Sequence, residues 1–405
     1  MKKNILKNNG VQSLLASLLC IVLGLLIGYI VLLFINPTGA GEAIMTVIKN
    51  FLTYNRADTQ MKYFGNTLVK TAPLLMCALS ILFAYKVGLF NIGAAGQYCF
   101  GVALSLYAAL GLGWSWLPCM LLAIAAGCVL GAIVGLLKAY CNVNEVISGI
   151  MLNWIMLYTT NMILTNVKEA TSPYTVQMRS SGTAALLPTL GLDKLFNDNG
   201  YVTLAIPLAI LLAIVVDVVL NKTRFGYELR ATGNNKFAAK YCGMAEKRNI
   251  ILSLMISGAL AGMGGFVYAV TTANCSANGD VAGFGFLALA VMIFGNWKPL
   301  NIAGASLLFG LFKCIAAAYS SLDINGDGVY WLAEIGISSH VYRMLPYLIT
   351  LVVLAFTSKK SRAPKAEGIP YDKGQRQEKH KKEAPARVLL FALFYMDFTK
   401  DGLRT

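Results

Sequence analysis

Residues 115–138 read 115-SWLPCMLLAIAAGCVLGAIVGLLK-138, and this stretch decides the fold. No charged side chain occurs between Trp116 and Leu137. A helix needs ~20 such residues to cross the ~30 Å hydrocarbon core of a bilayer. Inside the run, Gly127, Gly131 and Gly135 recur every four residues and make a smooth groove along one helix face. Lipid tails are as apolar as leucine, so helices in a bilayer associate through close backbone approach and polar contacts. The groove suits static packing or the sliding of one helix on another.

Working outward, similar apolar runs recur along the chain of 405 residues. Apolar side chains make up 57% of it and charged ones only 13%, with a mean hydropathy of +0.62. Soluble domains carry about 25% charged residues. The expectation is therefore an all-α, polytopic transmembrane helical bundle of about ten spans. The spans fall near 11–34, 66–86, 96–112, 115–138, 145–164, 201–220, 250–271, 284–296, 300–319 and 342–358. The third and eighth are short and glycine-rich. The first is too long, and lacks the small-residue cleavage site, for a removable signal peptide, so it reads as a retained anchor.

Direction follows from Lys and Arg. With the N-terminus in the cytoplasm, the inner loops hold Lys2, Lys3, Lys7, Lys86, Lys138, a cluster from Lys222 to Arg248, and Lys298. The basic tail adds to the same side. This excess marks the cytoplasmic face, and an even number of spans places both termini there. Residues 1–358 form the membrane domain, with a cytoplasmic loop at 221–249, and 359–405 form a basic cytoplasmic tail. The formal charge of +15 is thus mostly a topology signal. No aromatic-rich basic module accompanies it, so no nucleic-acid partner is expected.

Other chemistry is thin. The nine cysteines are scattered singly, and His340 and His380 lie far apart, so neither a zinc nor a redox pattern is present. The loop 323-DINGDGVYWLAE-334 satisfies a calcium-loop pattern through Asp323, Asn325, Asp327, Gly328 and Glu334. Trp331 at the ninth position and the lack of a paired hand favour an acidic turn instead, and no metal is expected.

The polar groups inside the apolar runs are more telling. The stretch 88-GLFNIGAAGQ-97 puts Asn91, Gln97 and three glycines between two spans. Irregular backbone at membrane depth is tolerated only under protein or beside a water-filled cavity. Asn91 and Gln97 can tie down freed backbone groups or face a passing solute. In the fifth span Glu145, Gly149 and Asn153 are four apart and share a face that Asn161 continues. That face turns toward protein or a watery path, or leaves Glu145 at the headgroups. Lys70 and Asp217 are near enough to a span end to snorkel; Lys313 is deeper and needs a partner. The span 257-SGALAGMGG-265 repeats the glycine groove with Gly258, Gly262 and Gly265.

Within 221–249, Phe237, Ala238, Tyr241 and Cys242 lie on one side of a short helix, with Lys236 and Lys240 on the other, and Gly233-Asn234-Asn235 turns the chain before it. Such an element is a surface helix, a connector or a docking element.

Here the sequence becomes familiar. GLFNIGAAGQ, 144-NEVISGIMLNWI-155, 223-TRFGYELRATGNNKFAAKYCGM-244, 257-SGALAGMGG-265, 283-GFGFLALAVMIFG-295, 345-LPYLITLVVLAF-356 and 363-APKAEGIPYDKGQR-376 occur in this order. Together they resemble the permease subunits of bacterial ATP-binding-cassette (ABC) importers, in the nucleoside and simple-sugar branch of the ribose and branched-chain amino acid permease family. The resemblance covers roughly residues 10–376. It implies a pore-forming subunit of the bacterial cell membrane that carries a nucleoside or simple sugar and has no enzymatic site. In agreement, the chain has no GxxxxGK[ST] phosphate loop. No cofactor is expected on this chain. ATP would be hydrolysed by a cytoplasmic ABC ATPase, solute delivered by an extracellular solute-binding lipoprotein, and the pore completed by a second, homologous permease as a heterodimer. The resemblance makes the loop a coupling helix for the ATPase, carried by Arg230, Gly233, Asn234, Ala238, Ala239 and Gly243. Sugars and nucleosides are met by amides and aromatics, which assigns the substrate pathway to Phe90, Asn91, Gln97, Asn144, Glu145, Asn153, Phe284 and Phe286.

The rival reading is an ion-coupled secondary transporter of a small polar solute, which also uses broken helices and midplane polar groups. Against it, only Lys313 is deep in a span and no carboxylate accompanies it. Beyond Arg376 the chain departs from the family pattern. The apolar nine residues 388-VLLFALFYM-396 are too short to span and suit a surface position behind the basic stretch. The segments 91-NIGAAGQYCFG-101 and 301-NIAGASLLFG-310 form a faint internal repeat that chance also explains.

Overall fold

A computed structural model of the protein describes residues 57–165, 183–272 and 280–318, two-residue strands at 175–176 and 275–276, and a few single helical positions outside these. The expected spans 11–34 and 342–358, the tail and the loop 323–334 lie outside the described residues.

In chain order the helices are α1 (Ala57–Tyr85), α2 (Ala94–Gly111), α3 (Trp116–Cys141), α4 (Glu145–Thr165), the short α5 (Leu192–Leu195), α6 (Ala205–Lys222), α7 (Arg224–Asn234), α8 (Lys236–Tyr241), α9 (Glu246–Thr271), α10 (Asp280–Phe294) and α11 (Pro299–Ala318). Among the described residues, seven are long and apolar enough to cross a membrane: α1 to α4, α6, α9 and α11. The eighth expected span is α10, with 15 residues. At 1.5 Å per residue it extends only about 22 Å, short of a bilayer core. The described fold is helical apart from one antiparallel pair of two-residue strands, Thr175–Val176 with Cys275–Ser276.

The helices divide by surroundings. Residues 71–84 of α1 are all buried. A helix apolar on every side belongs in the middle of a bundle, and α1 packs against α9, α11, α10 and α6. α4 and α6 instead bury one face and expose the other. On α4, Glu145, Gly149, Met156, Thr160 and Leu164 turn inward, while Ile147, Met151, Trp154, Ile155, Tyr158 and Met162 are exposed. An exposed apolar face of this extent fits lipid or another membrane subunit.

α9 is the central strut, packed against α3, α1 and α2. Its glycines make this possible. A methyl group at Gly258 would strike the Gly127 carbonyl of α3, and one at Gly265 would strike the Tyr98 carbonyl of α2. Gly131 and Gly135 continue the α3 seam against Leu254 and Ile251. The four-residue groove of the opening stretch is therefore filled by the backbone of α9. Dispersion contacts and close backbone approach replace the hydrophobic drive that lipid does not supply.

Candidate functional site

The stretch after α1 leaves regular helix at Lys86 and re-enters it at Ala94. Gly88, at φ 83°, takes the left-handed conformation that a side chain would strain. The turn then brings Asn91 into the bundle, where it is 2% exposed. Its Nδ2 donates to Gln97 Oε1 at 2.9 Å and to Ser257 Oγ of α9 at 2.7 Å. Ser257 in turn donates to the Ser80 carbonyl of α1 at 2.7 Å and lies 3.1 Å from the Ser80 hydroxyl. One buried amide thus ties together α1, the turn, α2 and α9. Asn91 Oδ1 and Gln97 Nε2 have no hydrogen-bond partner among the described residues.

α4 closes the other side of the same turn. Asn153 Nδ2 donates to the Ile92 carbonyl at 2.9 Å, and its Oδ1 accepts from the Gly96 amide at 2.8 Å. It thereby satisfies an amide of the first turn of α2, which lacks an intrahelical partner. The approach is close: a methyl at Gly149 would sit 2.9 Å from the Gly93 nitrogen. The stripe of Glu145, Gly149 and Asn153 thus faces protein.

Asn144 and Glu145 serve the α3–α4 hairpin. Asn144 Oδ1 accepts from the Val146 amide at 2.9 Å, starting α4. Glu145 forms an ion pair with Lys138, with both side chains almost completely enclosed. The sequence reading counts Lys138 among the inner-loop cations. The structure buries it, because the hairpin returns Glu145 onto the last turn of α3.

The aromatic residues of the expected pathway separate. Phe284 is 2% exposed and belongs to a ring cluster with Tyr98 and Tyr268. Phe90 is half-buried and packs on the main core. Phe286 is also half-buried, two residues along α10 from Phe284.

The loop 221–249 is more structured than expected. Thr223 breaks α6 and caps α7, its hydroxyl accepting from the Gly226 amide at 3.1 Å. Asn235 caps α8, its side chain accepting from the Phe237 and Ala238 amides, both at 3.1 Å. The short helix at 237–242 was expected; α7 was not. Its signal was a cap-forming threonine before Gly226, placed where the apolar run ends. Ala239 is buried, whereas Asn234, Ala238, Tyr241, Cys242 and Gly243 are exposed. Gly243 has φ 77° and ends the element. Tyr241 is 92% exposed, a large ring held out from the protein.

Gly233 joins this element to the first turn. A methyl there would lie 2.5 Å from the Lys86 carbonyl oxygen and 2.9 Å from the Gly88 nitrogen. Phe225 of α7 packs on Phe83 of α1, with ring centroids 6.4 Å apart. Lys86 donates to the Trp297 carbonyl at 3.2 Å, and Trp297 stacks on Tyr85 with centroids 3.8 Å apart. Burial pushes the Lys86 ammonium below the ordinary lysine range, and the Arg230 charge acts in the same direction. Trp297 and Asn296 both have positive φ, so the α10–α11 turn is tight at this point. No local pattern points to Ser80, Ser257 or Trp297, because each acts across a large separation in the chain.

Comparison with known proteins agrees with this architecture. The family model for the branched-chain amino acid transport system / permease component matches residues 63–354. The chain is 33% identical to the nucleoside ABC transporter permease protein NupB of Lactococcus lactis, over 76% of this chain and 84% of that protein. It is 33% identical to the guanosine ABC transporter permease protein NupQ of Bacillus subtilis, over 76% of this chain and 96% of that protein. A more distant relative is the glucose ABC transporter permease protein TsgB13 of Haloferax volcanii, 28% identical over 63% of this chain and 70% of that protein. No solved structure matches the chain.

Proposed function

The chain belongs to the branched-chain amino acid transport system / permease component family, and from that premise we propose that it is the membrane permease subunit of an ABC importer for a nucleoside. It is a multi-pass protein of the cell membrane. Among its relatives, NupB and NupQ are nucleoside and guanosine permeases, which favours a nucleoside over a simple sugar. In this reading the chain has about ten spans, both termini are cytoplasmic, and catalysis of ATP hydrolysis belongs to a separate ATPase. A solute-binding lipoprotein supplies the nucleoside, and a second permease completes the pore, as the presence in Bacillus subtilis of a second guanosine ABC transporter permease protein, NupP, beside NupQ suggests.

The observation that carries the proposal is the joint between α7 and the end of α1. The exposed face of α8, with Ala238 and Tyr241, is the docking surface for the ATPase. Gly233 lies against the backbone of Lys86 to Gly88, so movement of α7 and α8 passes to the turn that carries Asn91. Rigid shifts of packed helices by a few ångströms then exchange inward and outward access. Asn91, Gln97 and Asn153 hold the wall of that path through its backbone, and Phe90, Phe284 and Phe286 line it.

The test is uptake by vesicles containing this chain, its permease partner and the ATPase, supplied with the binding lipoprotein. Nucleoside uptake is expected to require ATP and lipoprotein and to continue after collapse of the ion gradients. Uptake that stops on collapse with ATP intact would indicate an ion-coupled carrier instead.

A further inference from the structure

α3, α4 and α6 each present a stripe of apolar side chains to the outside, and the stripes differ. α3 exposes Leu117, Leu121, Val129, Ile133 and Leu136 along its length. Its exposed rings stand at the ends, with Trp114 just before the helix and Tyr140 in its last turn. α6 exposes Ile210, Leu211, Ile214, Val215 and Val218, all aliphatic. Aliphatic side chains at mid-depth and aromatic rings at the headgroups are what a lipid-facing helix carries.

α4 departs from that pattern. Its stripe runs through Ile147, Met151, Trp154, Ile155, Tyr158 and Met162. Trp154 lies nine residues past Glu145 in a helix of 21 residues. At 1.5 Å per residue that is about 14 Å along the helix, the middle of a ~30 Å hydrocarbon core. Tyr158 follows one turn later. The two rings stack on each other with centroids 6.3 Å apart, and they are 41% and 66% exposed. No described residue accepts a hydrogen bond from the Trp154 indole N–H or the Tyr158 hydroxyl. Lipid tails offer no acceptor either, and a donor left unpaired in hydrocarbon is costly.

We propose that this face of α4 is the contact with the second permease, with Trp154 and Tyr158 as its anchors. This rests on the two-permease reading above. At mid-bilayer depth the partner is itself a membrane-spanning chain, which excludes the ATPase and the lipoprotein from this face. Tryptophan and tyrosine are the side chains that most often anchor protein interfaces, because each offers a large ring with a polar tip. The partner receives the two rings between its helices and supplies acceptors to the N–H and the hydroxyl. Asn153, beside Trp154 in the chain, holds the Ile92 carbonyl and the Gly96 amide. One helix thus joins the proposed contact to the expected solute path.

The experiment places photo-reactive benzoylphenylalanine at Trp154 in the full-length chain, expressed with the second permease, the ATPase and the lipoprotein. Irradiation of cells is expected to cross-link this chain to the second permease, identified by mass spectrometry. The same group at Leu211 of α6 is expected to give no such product. In a separate arm, Trp154→Leu combined with Tyr158→Leu keeps the face apolar but removes the anchors. The second permease retained on purification is expected to fall about tenfold, on the scale of losing an interface anchor. The thermal midpoint of this chain alone in detergent is expected to stay unchanged. Cross-links only to lipid or within this chain, while the second permease co-purifies with the unaltered protein, would overturn the assignment of α4. A cross-link to a second copy of this chain would overturn the choice of partner. Undiminished retention in the double variant would overturn the anchoring role of the two rings. Failure of any second permease to co-purify with the unaltered chain would instead overturn the two-permease reading, and the contact with it.

Discussion

At the residue scale the bundle depends on a few polar side chains that tie irregular backbone together. Asn153 reaches from α4 to both a carbonyl and an amide around the start of α2. Asn153→Leu leaves both groups without it. The expected loss is about 1–3 kcal/mol, the range for a buried polar group left unsatisfied, and it is read as a lower thermal midpoint in detergent. The Lys138–Glu145 pair makes a sharper case. Removing one charge from an enclosed pair leaves the other stranded, at about 3–5 kcal/mol, whereas replacing both with apolar side chains is often neutral. Lys138→Met is therefore expected to destabilise strongly, and Lys138→Met combined with Glu145→Leu to recover most of the loss. Equilibrium unfolding in mixed micelles compares the two, and equal instability would refute a purely electrostatic account.

At the element scale the governing contact is α3 against α9. Gly127 and Gly258 oppose each other so closely that either added methyl meets the partner's backbone. Backbone cannot rotate aside as a side chain does, so Gly258→Leu is expected to separate the helices and abolish recovery of monodisperse protein. Gly304, with open space beside it, provides the control: Gly304→Ala is expected to be tolerated. The same contrast shows what the sequence could reveal. Apolar length alone located α2, α3, α4, α6 and α11, because crossing a bilayer fixes a minimum run whatever the neighbours. The glycine spacing announced a groove without naming its occupant. The buried stripe on α4 was legible, since a carboxylate and an amide two helical turns apart on one face, Glu145 and Asn153, rarely face lipid. α7 was not, because its polar composition resembles a connector and its position comes from Thr223 capping and from Gly233 against the turn after α1. The Asn91 to Ser257 bond spans 166 residues, and no local pattern reports such a pairing. The amides and aromatics expected to line the pathway are visible in the sequence as residue types, while the contacts they make are set by tertiary packing.

At the scale of the whole molecule, transport requires that one face of the bundle exchange force with a partner while the interior changes access. In the proposed route the joint is at Gly233, where α7 meets the backbone of Lys86 to Gly88. Gly233→Leu forces α7 away from the Lys86–Gly88 backbone while leaving the exposed face of α8 unaltered. ATPase association is therefore expected to persist in pull-down, while uptake per ATP hydrolysed falls at least several-fold. Loss of association together with uptake would mean that Gly233 supports docking and not transmission. The proposed docking role also predicts sidedness, since a docking α8 would have to lie on the side where ATP is. Cys141, at the end of α3, and Cys242, just after α8, are both exposed, and Lys247 of α9 lies over the Tyr140 ring at 4.7 Å. That contact brings the end of α3 and the start of α9 to the same end of the bundle. Single-cysteine proteins retaining Cys141 or Cys242 are expected to react with a membrane-impermeant maleimide in inside-out vesicles and to be protected in intact cells. Leu190, which is exposed and precedes α5, belongs to the opposite end. Leu190→Cys, in a chain lacking the other cysteines, is expected to react in intact cells. Reaction of Cys242 from outside would place α8 away from ATP and remove the coupling role, whatever the family of the chain.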